Sequence, residues 1–165
     1  IRDRDNRLNP IHEGTSGIQA IDLLGRKIIG DSGKSLDIFI NRVLQTCEIA
    51  GKTNLKNRSN YLIKVIDNLQ RVSDKLSKTK SANTLDNASP FLSGFGHIVV
   101  GWIWLDIAII ALQKKNNSNE KQPFLDGKIA ACRYFFECEL PKSEMLMNFV
   151  FNESDVVSSV KAEIF

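Results

Sequence analysis

Residues 4–27, RDNRLNPIHEGTSGIQAIDLLGRK, hold the side chains best placed for chemistry. Glu13 stands in a turn just before an expected helix start. Backbone N–H groups there lack intrahelical partners and favour a nearby anion or carbonyl oxygen. Gly14 lets another molecule approach the main chain, and Thr15 and Ser16 add hydroxyl donors. A carboxylate beside such an oxyanion-type site suits removal of a proton next to a carbonyl. Taken alone, Glu13 is better read as a solvated residue or one favoured by the helix dipole.

Weaker signals lie further along. GDSGKS at residues 30–35 has the flavour of a phosphate loop, but Ile28 stands where the first glycine belongs and a helix, not a strand, precedes it. A helix–helix connection is the better reading. Residues 52–80 carry Lys52, Lys56, Arg58, Lys64, Arg71, Lys75, Lys78 and Lys80 against Asp67 and Asp74. Such a helix could track phosphates, yet no aromatic interleaving accompanies it, and a solvated bundle face is preferred. His97, near Gly94 and Gly96, has no partner at metal-ligand spacing. Cys47, Cys132 and Cys138 form no CxxC pair and fall among apolar helical residues, so reduced core thiols are expected. Of Trp102 and Trp104, one is expected in the core and the other at a contact with further domains or another subunit.

The elements that position these residues are all helical. Pro10 biases Asn9 toward an extended conformation, and Thr15 or Ser16 is expected to cap the first helix. Ile18, Ile21, Leu24 and Ile28 give its apolar stripe and Gly30 its stop. A second helix from about residue 35 buries Leu36, Phe39, Ile40, Val43, Leu44, Cys47 and Ala50, ending at Gly51. A third, over 57–77, has Leu62, Val65, Ile66, Leu69, Val72 and Leu76 on its stripe. Residues 78–89 and 114–122 read as polar loops. From Pro90 comes the most apolar segment, in which only Gly101 and Asp106 interrupt residues 98–112. A membrane span needs about 20 apolar residues without a central charge, so this is expected to be the nearly encircled helix of a bundle. Residues 124–140 form the next helix, spaced for burial at Leu125, Ile129, Cys132, Phe136 and Leu140 and ended by Pro141. Ser143 is expected to cap a short helix holding Met145, Leu146 and Phe149. Val156, Val157, Val160 and Ile164 repeat the spacing near the end. The fold expected is all-α, an up-and-down antiparallel bundle of about five to seven helices.

The 165 residues suffice for one domain with its own core, and the 42% hydrophobic and 25% charged fractions are ordinary for a globular chain. Net charge +3 is only mildly basic and does not by itself point to nucleic acid. The chain opens at Ile1 without a charged-then-apolar leader, so a fragment of a longer protein with no signal peptide is expected.

The pattern RDxRL..IHEGTSGIQAIDLLGRK resembles the C-terminal signature of the acyl-CoA dehydrogenases, close to RDxRI..IYEGT..IQ. The DLLGRK extension and FFECELP at residues 135–141 resemble a branch with an additional C-terminal helical domain, which includes enzymes acting on methylthiopropanoyl-CoA. This resemblance implies that residues 1–27 are the tail of a catalytic body and residues 28–165 the helical bundle domain. It implies Glu13 as the base that removes the α-proton of an acyl-CoA thioester, while a hydride leaves the β-carbon for FAD. The main-chain N–H of Glu13 would help hold the thioester oxygen, Gly14 would line the substrate path, and Thr15, Ser16 and Gly17 would contact FAD. Arg4, Asp5 and Arg7 match the polar lead-in and are given a structural ion-pair role. His12 departs from the common Tyr, which alters the wall near the acyl chain.

The resemblance further implies an electron-transferring flavoprotein as acceptor, a homo-oligomeric parent enzyme and a cytoplasmic location. The domains that build most of the flavin and substrate sites are not in this sequence, so the chain alone is expected to bind no FAD and to be inactive. The competing reading is a free-standing helical interaction or nucleic-acid-binding module that retains the motif.

Overall fold

The computed structural model describes residues 15–79, 82–117, 122–152, 159–160 and 163. Six α-helices account for most of them: α1 Thr15–Ile21, α2 Lys34–Gly51, α3 Lys56–Thr79, α4 Ala88–Asn117, α5 Gln122–Tyr134 and α6 Pro141–Phe151. Two π-helical stretches, Asp22–Ile29 and Phe135–Glu139, prolong α1 and α5, and a 3₁₀ segment Ala82–Asn87 leads into α4. No strand occurs among the described residues. The chain is an all-α bundle, as its apolar periodicity requires.

The first helix keeps the second half of its expected stripe and departs from the first. Ala20, Leu24 and Ile28 are buried, whereas Ile18 is 71% and Ile21 50% exposed. The cause is the widened turn: Gly30 donates to Gly25 O at 2.9 Å and Gly33 to Ile28 O, both five residues back. A π turn holds more residues than an α turn, so the inward face recurs every four residues rather than every 3.6. Nor does Gly30 stop the helix with a left-handed residue. Its φ is −71°, and the chain turns instead through Ser32 at φ 54° and Gly33 at φ 81°. Thr15 and Ser16 already lie inside the first helical turn rather than capping it.

Helices α2 and α3 form a tight pair. Leu36, Val43, Cys47 and Ala50 face inward from α2 as the period predicts, while Leu44 turns out to solvent. In the connecting turn Thr53 Oγ1 donates to Ala50 O at 2.8 Å and accepts from the Leu55 N–H at 3.1 Å. Helix α3 buries the whole expected stripe and adds Ser59 and Ser73.

The expected loop over 78–89 is largely helical. Helix α3 continues to Thr79, and α4 begins at Ala88 with Pro90 in its first turn, where a missing N–H costs little. Helix α4 likewise runs past Lys114 to Asn117. It packs against every other helical element and is the centre of the bundle. By length and composition alone the stretch Thr84–Lys115, whose most apolar 18-residue window has a mean hydropathy of 2.0, would suffice to cross a membrane. Only 33% of its most apolar window is buried, because one face of α4 stays open.

Glycines let α4 meet its neighbours closely. A Cβ on Gly101 would lie 3.1 Å from Leu140 Cδ1, and one on Gly94 would lie 2.9 Å from Met147 Cε and 3.3 Å from Leu146 Cβ. On the other side Phe39 of α2 packs 5.0 Å from Phe95 and edge-on to Trp102 at 5.8 Å. Trp102 is half-buried and donates Nε1–H to Thr46 Oγ1 at 2.8 Å. Trp104 is also half-buried, with Lys128 Nζ 5.8 Å from its ring.

Pro141 does not end the helical course either. Leu140 keeps αR geometry, its N–H reaches Phe135 O at 2.8 Å in a π turn, and Pro141 opens α6. Ser143 is not a cap: its buried hydroxyl donates to Leu140 O at 2.6 Å. At the far end of α6 the Phe151 ring meets both Arg71 and Lys75 of α3, each cation 4.4 Å from its centroid. The apolar positions expected at 156, 157 and 164 lie outside the described residues.

Candidate functional site

Glu13 and Gly14, with the whole of residues 1–14, lie outside the described residues. The structure therefore speaks to the second half of the motif. Thr15, Ser16 and Gly17 form the first turn of α1 and are all exposed. A Cβ on Gly17 would meet nothing within 4 Å, so packing among the described residues does not call for glycine there. The three residues offer two hydroxyls and open main chain to a neighbour outside the bundle. They could form one rim of a cofactor site, such as that of the FAD expected from the motif, but no enclosing pocket of their own.

Behind them Asp22 and Arg26 form an exposed ion pair at 2.5 Å. The hydrogen bond from Arg26 holds the Asp22 carboxyl below its usual range. The GDSGKS turn then closes off the phosphate-loop reading. The Asp31 carboxylate accepts the Ser35 N–H at 2.8 Å and the Ser35 hydroxyl, so a side chain already sits where an anion would dock. Those two bonds, the hydroxyl first, lower the Asp31 carboxyl. Beside the turn a recess of about 400 Å³ separates the start of α2 from the end of α3. Ser73, 2% exposed, lines it with a hydroxyl that has no hydrogen-bond partner, and the carboxylates Asp37 and Asp74 line it too.

A second recess, of about 300 Å³, was not anticipated from spacing. Asn54 of the preceding turn and Asn57, Arg58 and Tyr61 of α3 line it with Phe136 and Glu137 of the π turn, the Tyr61 and Phe136 rings 6.5 Å apart. Burial first, and then a hydrogen bond to Glu144, push the Tyr61 phenol above its ordinary range. Only the tertiary pairing of α3 with the π turn could reveal it; no short motif marks it.

The remaining candidates resolve into structure. His97 lies against Phe135, ring centroids 6.4 Å apart, and no group of three potential metal ligands occurs among the described residues. The basic helix is partly committed: Lys52 pairs with Glu48 at 2.9 Å, Arg71 donates to Asn68 at 2.8 Å, and Arg71 and Lys75 hold Phe151. Lys80 lies outside the described residues. Cys47 and Cys132 are buried as expected, and burial pushes the Cys132 thiol up to about 11. Cys138 is exposed rather than core, because the π turn rotates it away from the face shared by Phe136 and Leu140.

The sequence model of one family, described as acetyl-CoA dehydrogenase C-terminal like, matches residues 39–161, from within α2 to beyond α6. The chain belongs to this family. It is 28% identical over 151 residues to the broad-specificity linear acyl-CoA dehydrogenase of Mycobacterium tuberculosis, an alignment covering 84% of the chain and 24% of that protein. It is 29% identical over 149 residues to the 3-methylmercaptopropionyl-CoA dehydrogenase of Ruegeria pomeroyi, covering 80% of the chain and 23% of that protein. The chain thus spans about a quarter of the length of the curated relatives it matches. An acyl-CoA dehydrogenase-type C-terminal helical region, in the branch that carries one, is what the bundle constitutes.

Proposed function

We propose that this chain is the C-terminal part of an FAD-dependent acyl-CoA dehydrogenase that introduces an α,β double bond into an acyl-CoA thioester. The observation that carries the reading is the family match across α2–α6 together with two relatives named for that activity. Residues 1–27 close the catalytic body and residues 28–165 form the appended bundle. The Glu13 carboxylate removes the α-proton, and its main-chain N–H helps hold the thioester oxygen, which lowers that proton's pKa. Gly14 lines the substrate path. When bound, FAD accepts the β-hydride. Thr15, Ser16 and Gly17 contact it from the α1 start, a role that their exposure supports. An electron-transferring flavoprotein reoxidises the enzyme, a cytoplasmic homo-oligomer. Without the body, the 165 residues bind no flavin and turn nothing over.

The test is Glu13→Gln in the full polypeptide that contains this chain. Dehydrogenation falls by orders of magnitude while flavin content is unchanged. Undiminished turnover would remove Glu13 from the role of base.

A further inference from the structure

Helix α4 is buried on three sides. Ile98, Leu105 and Ile109 face the core, Trp102 borders α2, and Gly94 and Gly101 border the π turn and α6. Its fourth side carries Val100, Ile103, Ile107 and Ile110 at the three- and four-residue spacing that places them on one face. Val100, Ile103 and Ile110 are 39%, 46% and 44% exposed. Helix α1 packs against α4 and itself leaves Ile18 and Ile21 exposed. Scattered surface hydrophobics are ordinary, but three exposed β-branched residues on one face of α4 and two more on α1, which packs against it, are a reason to exclude water.

We infer that this face, α1 together with the open side of α4, is the seat of the catalytic body of the same polypeptide. The inference rests on the functional reading above. Two observations select that occupant. The matched region makes up about a quarter of each relative, so roughly three-quarters of such a chain is joined to it. And only five peptide steps separate Glu13 from Ile18, a reach of at most about 18 Å even when fully extended. The wall that carries the base therefore stands beside α1, and α4, whose open side is apolar, packs against α1. The stripe itself is uncharged, so the body meets it with an apolar patch; Asp106, exposed on the same helix, falls at the rim.

Side-chain labelling by hydroxyl radicals tests this, comparing the intact polypeptide with the separate 165-residue chain over a range of concentrations. Labelling of Val100, Ile103 and Ile110 falls roughly threefold or more in the intact protein, because an interface core loses most of its accessible area. Unchanged labelling in a flavin-loaded, active polypeptide overturns the docking and leaves the enzyme reading standing. Protection in the separate chain that grows with its concentration assigns the face to a second copy, and protection that appears only with lipid vesicles assigns it to a membrane; both overturn the inference. An intact polypeptide with neither flavin nor dehydrogenation removes the enzyme reading, and this one with it. In the intact protein the double change Ile103→Glu and Ile110→Glu also raises labelling at Ile18 and Ile21 where the body has been displaced; no change there counts against the seat, even if the separate chain does not fold.

Discussion

Ser59, in the second turn of α3, donates its buried hydroxyl to the carbonyl oxygen of Cys47 in α2 at 2.7 Å. The bond spans the α2–α3 turn and fixes how the two helices lie on each other. Ser59→Ala keeps the helix but removes the donor, and a buried bond of this kind contributes about 1 kcal/mol. The variant is expected to melt roughly 2–4 °C lower than the parent in a thermal scan.

Two glycines of similar helical setting respond in opposite directions. Gly101 lies against Leu140, and Gly101→Val forces that contact apart, lowering stability by about 2 kcal/mol in urea titration. Gly127 in α5 has nothing within 4 Å of an added Cβ. Gly127→Ala raises stability by about 0.5–1 kcal/mol through helix propensity alone.

Thiol chemistry separates the cysteines. At pH 8 a small alkylating reagent modifies the exposed Cys138 promptly, while Cys47 and Cys132 react only after denaturation, as peptide mass mapping would report. Burial raises the Cys132 thiol from its ordinary 9.0 to about 11, so the folded state holds that proton more tightly than the unfolded chain. The associated stabilisation is complete below about pH 9 and is lost as the pH rises through about 11. Cys132→Ser shows a flatter alkaline limb in a stability–pH curve.

At the acid end the sign reverses. Hydrogen bonds from Ser35 depress the Asp31 carboxyl below its ordinary 3.8, so its contribution is present above that pH and disappears as the pH falls past it. Asp31→Ala is therefore less stable than the parent near neutrality, and the two curves converge at low pH.

Ser73 offers the opposite of a lost bond. Its hydroxyl is buried without a partner, so Ser73→Ala discards an unsatisfied group and leaves stability unchanged or higher by up to about 1 kcal/mol. A clear loss of stability would show that the hydroxyl is bonded in solution.

The third helix was readable in full, because its 24 residues keep one 3.6-residue period and every predicted stripe position is buried. The first keeps half of its expected stripe, Leu24 and Ile28, and loses the other half. Ile18 and Ile21 fit an α period, and nothing local announces the five-residue hydrogen bonds that move the inward face to Ala20, Leu24 and Ile28. Cys138 was misplaced by the other π turn for the same reason. Leu44 and the open side of α4 were misjudged because period tells which residues share a face, not whether another element covers it. The candidate site rests on the resemblance of residues 4–27 and not on geometry: Glu13 lies outside the described residues, and what the structure adds is the exposure of Thr15, Ser16 and Gly17.

A π turn is an α-helix carrying one residue too many. At Asp22–Ile29 and Phe135–Glu139 the surplus is absorbed locally, and the helices on either side remain packed. These two stretches are therefore where the chain can lose a residue most gently: a single deletion restores ordinary α geometry there. Elsewhere in α2, α3 or α4 the same deletion would rotate everything after it by about 100° and turn a core stripe to water. A helix of this chain thus has two natural places to change length, one directly after Thr15–Ile21 and one before Pro141.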